Sequence, residues 1–374
     1  MLVSVRFFMY VLVDFYNIKE YNILDYNYLE DLLVNIKELC FSLSAKNGTS
    51  GDETNASSYA KDLLSEYMNT EIDTLGNVVG TMGEGGVHIL LDAHIDEIGL
   101  VVRHIDDKGF LLVDKVGGPD LRVLTGAEVI VHGKEDLFGV ISSVPPHLQK
   151  GDNKDDAIDL KTMAVDIGYG KEKAQELVEI GDRITLKTQQ FELLGDKIVS
   201  PALDDRCCMA VILRALELTK DKLNNIKVSV LFSAQEETNG SGAKTGSFSL
   251  MPDYAIALDV GFGDDPYTDK TQTVALGKGP SIGISPTLDR EFTRELKELC
   301  IEKNIPYQHD VMGGSTGTNA DSINNTGRGI KTALVSIPLR YMHTGCEVAS
   351  VSDLENAAKL LAEYLLKKES EYCA

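Results

Sequence analysis

Val87-His-Ile-Leu-Leu-Asp-Ala-His-Ile-Asp-Glu-Ile-Gly99 is the stretch on which the reading of this chain turns. Its first half, Val87–Ala93, is largely apolar on both faces. A strand with one wet face alternates apolar and polar residues, so this one belongs inside a sheet covered on both sides. It ends at His94 and Asp96, two residues able to do chemistry. In open α/β sheets, ligands collect at the carboxyl ends of such strands.

The segments on either side give this strand its context. Upstream, Leu29, Leu32, Leu33, Ile36, Leu39 and Cys40 recur at helical spacing and predict a helix over 28–43. Lys46–Asp52 breaks it, and Asp52 or Thr54 is expected to cap a second helix through about Met68, followed by a strand at Asn77–Met82. Downstream, from about Gly99 to Lys197, short β-rich runs alternate with Gly, Pro and Asp clusters: Leu100–His104, Gly109–Val113, Glu128–His132, Gly139–Ser143 and Arg183–Lys187. A short helix, about Lys171–Ile180, interrupts them, and the texture is that of a small barrel or sandwich. Helix and strand alternate again from Asp204: a helix to Thr219, strand Lys227–Ala234, helix Ser241–Leu250, strand Tyr254–Asp259, helix Thr287–Lys303, strand Thr332–Ile337 and a helix from Ser352. The expected fold class is therefore α/β: a helix-layered mixed sheet built from residues 28–98 and 198–374, with a small, barrel-like all-β domain, 99–197, inserted between them.

Composition narrows the function. At roughly 150 residues per domain, 374 residues allow two to three domains. Hydrophobic residues at 43% and charged residues at 25% are the proportions of a soluble globular protein. The balance of 36 Lys+Arg against 58 Asp+Glu, a net −22, argues against nucleic acid as a partner, because phosphates require a basic face. It argues equally against docking on anionic membranes. No apolar run reaches the ~18–20 residues that span a bilayer. Six scattered cysteines without a C-x-x-C pair suggest a reducing compartment, and a cytoplasmic location is expected. The apolar start, Met1–Val13, contains an Arg and no small-residue cleavage site follows, so residues 1–27 read as a poorly ordered extension rather than a secretory leader.

Further candidates stand at the ends of other predicted strands. His94 and Asp96, two apart on an extended chain, point to one side, so the carboxylate can orient a metal-binding imidazole; a polar loop after a strand would look the same. Asp204-Asp205 opens a helix, either as an N-cap or as a carboxylate bridging two cations. Glu236-Glu237 follows the apolar strand Val228–Gln235. Buried there, the pair needs a cation or solvent. Neighbouring side chains diverge, so one can bind metal while the other takes a proton from a metal-activated water. Asp259 ends an apolar strand before an expected tight turn at Gly261–Gly263, and His343 follows the last strand. Each is weak alone. Together, His94, Asp204, Glu237, Asp259 and His343 supply the nitrogen and oxygen donors that two adjacent divalent cations require. Two such cations can acidify a shared water and polarise a carbonyl, with a neighbouring Glu passing the proton to the leaving amine.

At these residues the chain resembles the cocatalytic metallo-aminopeptidases that include glutamyl aminopeptidase and the tetrahedral aminopeptidases. The resemblance runs from about Leu29 to Leu366 and is carried in order by Asp92–Gly99, Ala202–Arg206, Gln235–Glu237, Leu258–Gly261 and Pro338–His343. It implies removal of amino-terminal residues from peptides. It implies two divalent metal ions, zinc or cobalt and sometimes manganese: one on His94, Asp204 and Asp259, the other on Asp204, Glu237 and His343. Glu236 would be the general base and then acid, and Asp96 the partner of His94. It further implies that the β insertion serves dimerisation and that dimers assemble into a hollow dodecamer. The glycine-rich segment Gly313–Asp321 would lie close to the substrate. Three rivals remain at this point. One is a glycosidase, since some members of the family have been labelled endoglucanases. The others are an amidohydrolase of N-acylated amino acids and a non-catalytic scaffold that has kept its metals.

Overall fold

The computed structural model describes residues 35–144 and 163–373, together with His147 and Leu160; the expected extension 1–27 and the start of the expected helix 28–43 lie outside these residues. In chain order the first strands are β1 (Asn69–Ile72), β2 (Val78–Met82) and β3 (His88–His94). They are followed by β4 (Gly99–Ile105), β5 (Leu111–Val116), β6 (Glu128–His132), β7 (Asp136–Ile141), β8 (Ala164–Asp166) and β9 (Arg183–Leu186). Next come β10 (Phe191–Leu193), β11 (Lys197–Ser200), β12 (Lys227–Ser233) and β13 (Tyr254–Phe262). The last are β14 (Ser281–Ile284), β15 (Gln308–Val311), β16 (Lys331–Leu339) and β17 (Glu347–Ser350).

The main sheet has the order β1-β2-β12-β3-β13-β16-β14-β15. Its centre, β12-β3-β13-β16, is parallel, and antiparallel β2 and β14 flank it. Alternate residues of β3 enter separate cores. Ile89, Leu91 and Ala93 pack with the helices Ile36–Ser44, Thr54–Leu64, Leu203–Leu218, Arg290–Lys303 and Val351–Glu371, whereas Leu90 packs with Ser241–Leu250 and Asn319–Asn324. Covering both faces is why the strand reads as one apolar run. Between Gly99 and Leu186, antiparallel strands close into a barrel of order β4-β5-β8-β7-β6-β9. There β7 alternates exposed and buried residues along its length, and Leu100, Val113, Val129 and Ile184 fill the interior.

The structure departs from the sequence reading in several places. The second helix is Thr54–Leu64, stops short of Met68, and has Glu53 at its N-cap with no side-chain cap, so neither Asp52 nor Thr54 performs that role. The strand expected to turn at Gly261–Gly263 runs on to Phe262, because Gly261 and Phe262 continue the parallel ladder with Pro338 and Leu339. The short strands β14 and β15 extend the sheet beyond the last expected strand, and a separate sheet β10-β11-β17 joins the exit of the barrel segment to Glu347–Ser350. No described helix is long and apolar enough to cross a membrane.

The helix Ser241–Leu250 lies against the end of β12 with no room to spare. A Cβ on Gly242 would stand 2.2 Å from the Ala234 carbonyl oxygen and 2.5 Å from the Ala234 nitrogen, both main-chain atoms. Gly242→Ala is therefore expected to lower stability by about 1–3 kcal/mol, read as a lower urea midpoint at unchanged m-value.

Candidate metal centre

The four central parallel strands end on one edge of the sheet, and the candidate residues gather there. His94 closes β3, Glu236 and Glu237 follow β12, Asp259 lies near the end of β13, and His343 follows β16. The ladder between β3 and β13 stops at the pair Asp92 and Ala257, before it reaches His94 and Asp259. The start of the helix Leu203–Leu218 occupies the opening. The His94 N–H donates to the Asp205 carboxylate at 3.1 Å instead of to a strand, and the Cys208 thiol donates to the Asp259 carbonyl at 3.3 Å. Asp204 (ψ 102) and Asp205 (ψ 29) leave the helical conformation, and a cis peptide joins them. The Asp204 side chain faces two imidazoles, reaching His94 Nε2 at 2.9 Å and His343 Nε2 at 3.5 Å. His343 Nε2 also lies 3.4 Å from Glu237.

Two sets of donor atoms converge within 4.8 Å of one another around His94: His94 with Asp204 and Glu237, and His94 with Asp205 and Asp259. The structure thus brings together every residue singled out from the sequence. It adds Asp205, whose only sequence signal was its place beside Asp204.

The positions of these groups are fixed by main-chain bonds to two buried carboxylates. Asp96 was expected to orient His94 through its carboxylate. Its carbonyl oxygen does so more closely, at 3.0 Å from His94 Nδ1, while the carboxylate stands at 3.6 Å. That carboxylate accepts the N–H groups of Glu236 (2.9 Å) and Glu237 (3.0 Å) and so fixes the turn that presents both. Glu347, fully buried, accepts the N–H of Asp204 at 3.0 Å and of His343 at 2.8 Å. Nothing in the sequence marked Glu347.

Charge is crowded here. Burial raises the Glu236 carboxyl to about 7, with His94 opposing and Glu237 and Asp204 adding to the rise. Burial drives Asp205 and Asp259 well above the usual carboxylate range, with repulsion from Asp259 adding to the rise at Asp205 and repulsion from Glu236 adding to it at Asp259. Burial also opposes ionisation of Asp204, but the imidazoles of His343 and His94 outweigh it and hold this carboxyl well below that range. Hydrogen bonds to Asp204 and Glu237 push His343 up to about 11. One oxygen of Asp205 has no hydrogen-bond partner. Buried acids in excess of the imidazoles beside them, one with an orphaned oxygen, form a donor set that divalent cations would satisfy.

The centre opens into a cavity of about 890 Å³, lined further by Ser315–Thr318 of the glycine-rich segment and by Gly117 and Gly118 after β5. Gly117 (φ +70) adopts a conformation that favours glycine, and both it and Gly118 leave little room for a side chain. A Cβ would stand 3.1 Å from Glu237 Oε2 at the first and 3.0 Å from His343 Nδ1 at the second.

Comparison with known proteins gives the family and the fold. Residues 76–360 match the family described as M42 glutamyl aminopeptidase. The chain is 33% identical to a lysyl aminopeptidase of Pyrococcus furiosus, over 82% of this chain and 88% of that one. Among solved structures, an aminopeptidase of the archaeon Desulfurococcus kamchatkensis superposes with a TM-score of 0.83 at 31% identity, covering 91% of this chain and 98% of its own. The TET1 peptidase of Pyrococcus horikoshii, described as able to assemble into a tetrahedron or a large octahedral shell, gives 0.79 at 32% identity, covering 89% and 99%.

The two N–H bonds accepted by Glu347 give a test. Glu347→Gln keeps one acceptor oxygen but turns an NH2 group toward the other N–H. The folded variant, verified by circular dichroism, is expected to bind cobalt(II) about 10–100-fold more weakly in calorimetry.

Proposed function

Because the chain belongs to the M42 glutamyl aminopeptidase family, and so is a hydrolase acting on amino-terminal peptide bonds, we propose that it works with two divalent metal ions and with Glu236 as its proton carrier. One ion would be held by His94, Asp204 and Asp259 and the other by Asp204, Glu237 and His343, with zinc or cobalt, or manganese, as the metal. The position of Asp204 between His94 and His343 carries this reading. Asp205, beside His94 and Asp259, would balance charge on the first side. When bound, such ions acidify water and polarise a carbonyl. Glu236, half-buried with its carboxyl near neutrality, takes a proton from the attacking water and passes it to the departing amine. Asp96 holds Glu236 in place through the Glu236 N–H.

Two features support this reading over a glycosidase and a scaffold. Glycoside hydrolysis needs two carboxyls facing across a sugar, whereas Glu236 and Glu237 are chain neighbours and Glu237 pairs with His343. A scaffold would have no use for the carboxyl of Glu236, and a requirement for a free α-amino group would exclude an amidohydrolase of N-acyl amino acids. In this proposal residues 28–98 and 198–374 form the catalytic domain, and the insertion 99–197 pairs two subunits. Dimers would assemble further, up to a dodecamer. The six unpaired cysteines favour the cytoplasm.

Glu236→Gln is expected to retain zinc affinity in calorimetry and to lose peptide hydrolysis by a factor of at least ~10²; full activity would overturn the assigned mechanism. The wild-type protein should hydrolyse free aminoacyl anilides, stop on chelation, recover with zinc, cobalt or manganese, and leave N-acetylated anilides and soluble cellulose untouched. Light scattering should report a closed assembly rather than a monomer.

A further inference from the structure

Among the described residues five acids line the cavity. Four of them, Asp204, Glu236, Glu237 and Asp259, belong to the centre already described; the fifth is Asp310, on the edge strand β15. The Asp310 carboxylate makes no hydrogen bond or ion pair among the described residues, although the residue is half-buried. Burial alone raises its carboxyl above the usual range. A half-buried carboxylate without a partner costs stability unless a counter-charge arrives from elsewhere.

Its location says where that charge would come from. Asp310 reaches toward Gly261: a Cβ built on Gly261 would stand 3.8 Å from Asp310 Oδ2, 3.4 Å from Ser336 and 3.8 Å from Ser281. Gly261, Ser336 and Asp310 all line the cavity into which the centre opens. Gly261 and Asp259 are two apart on β13, so they face the same side at a spacing of about 6.6 Å. A substrate held at the centre would lie in the same cavity as Asp310. Met312 and Met342 also line the cavity and offer apolar surface to an aliphatic stem. Among the described residues no lysine or arginine lines it, so an acidic side chain reaching Asp310 would meet a like charge.

We infer that Asp310 selects substrates whose amino-terminal residue is cationic, lysine or arginine, by pairing with that side chain at the far end of the cleft. The inference rests on the aminopeptidase reading above and adds the substrate class to it. A lysine side chain has the required form, a compact charge on a flexible four-carbon stem. The four acids of the metal centre that line the cavity do not duplicate the role, because two divalent cations would balance their charge.

The test uses the full-length, metal-loaded protein with lysyl, arginyl, leucyl and glutamyl p-nitroanilides. For the wild type, kcat/KM on the lysyl and arginyl substrates should exceed that on leucyl by about tenfold or more, with glutamyl the poorest. Asp310→Asn should lower the lysyl and arginyl values by about tenfold or more, mainly through KM, and leave the leucyl value within about twofold. The unchanged leucyl rate also shows that the variant is folded. Asp310→Arg should reverse the order of lysyl and glutamyl substrates. A wild type that prefers leucyl or glutamyl substrate, or an Asp310→Asn variant that loses all four activities equally, overturns the inference while the aminopeptidase reading stands. A wild type that cleaves none of the four removes the premise and the inference together.

Discussion

The parting of β3 from β13 is the feature on which the rest of the site depends. A parallel ladder that ran to its natural end would satisfy the His94 N–H within the sheet and close the edge. Because pairing stops at Asp92 and Ala257, the N–H turns to the Asp205 carboxylate and the start of the helix Leu203–Leu218 enters the opening. A buried backbone donor must be satisfied somewhere, and satisfying it with an acid brings negative charge into the interior. Asp204 comes with Asp205, Asp259 is already there on β13, and Glu236 and Glu237 arrive from β12. The opening that makes room for a ligand therefore also creates the demand for a cationic one.

Precision in such a crowd comes from main-chain bonds rather than from side chains meeting each other. Asp96 grips the N–H groups of Glu236 and Glu237, and Glu347 grips those of Asp204 and His343. Each joins two segments that are distant in sequence, and both acids are fully buried, where hydrogen bonds to a charged acceptor are strong and leaving one unmade is expensive. Four of the side chains around the centre are thus held by the backbone they grow from. A flexible glutamate can then act reproducibly without being locked at its own carboxyl.

Much of this was legible in the sequence, for a physical reason. Strands covered on both faces are apolar throughout, so β3, β12, β13 and β16 announce themselves, and acids or histidines at their ends stand out against that background. The barrel announces itself through short alternating runs broken by turn residues. What could not be read has equally definite causes. The edge strands β14 and β15 are four residues each, and β15 is Gln-His-Asp-Val, which carries no periodic signal. The sheet β10-β11-β17 exists only because its strands meet across the fold. Glu347 looks like any strand glutamate, and Asp96 was recognised for its neighbour His94 when its carboxylate serves Glu236 and Glu237. Local pattern reveals which residues are unusual for their element; it does not reveal which backbone they hold.

The place of the barrel follows from the same economy of position. The chain leaves the main sheet at Gly99, just after Asp96, and returns through β11 shortly before Asp204, so the insertion lies between two residues of the centre. Its exit is pinned by pairing β11 with β17, the strand that carries Glu347. Its entry side gives Gly117 and Gly118 to the cavity wall, close against Glu237 and His343, and the Asp120 N–H donates to the His343 carbonyl at 3.0 Å. A displacement of the barrel would press on His343 through Gly118 and pull on it through Asp120. Any subunit contact made by the barrel would therefore be transmitted, through packed backbone and not through a mobile linker, to an imidazole of the centre. That closeness gives a reason for the wall to be built of glycines: a Cβ at either position would crowd Glu237 or His343.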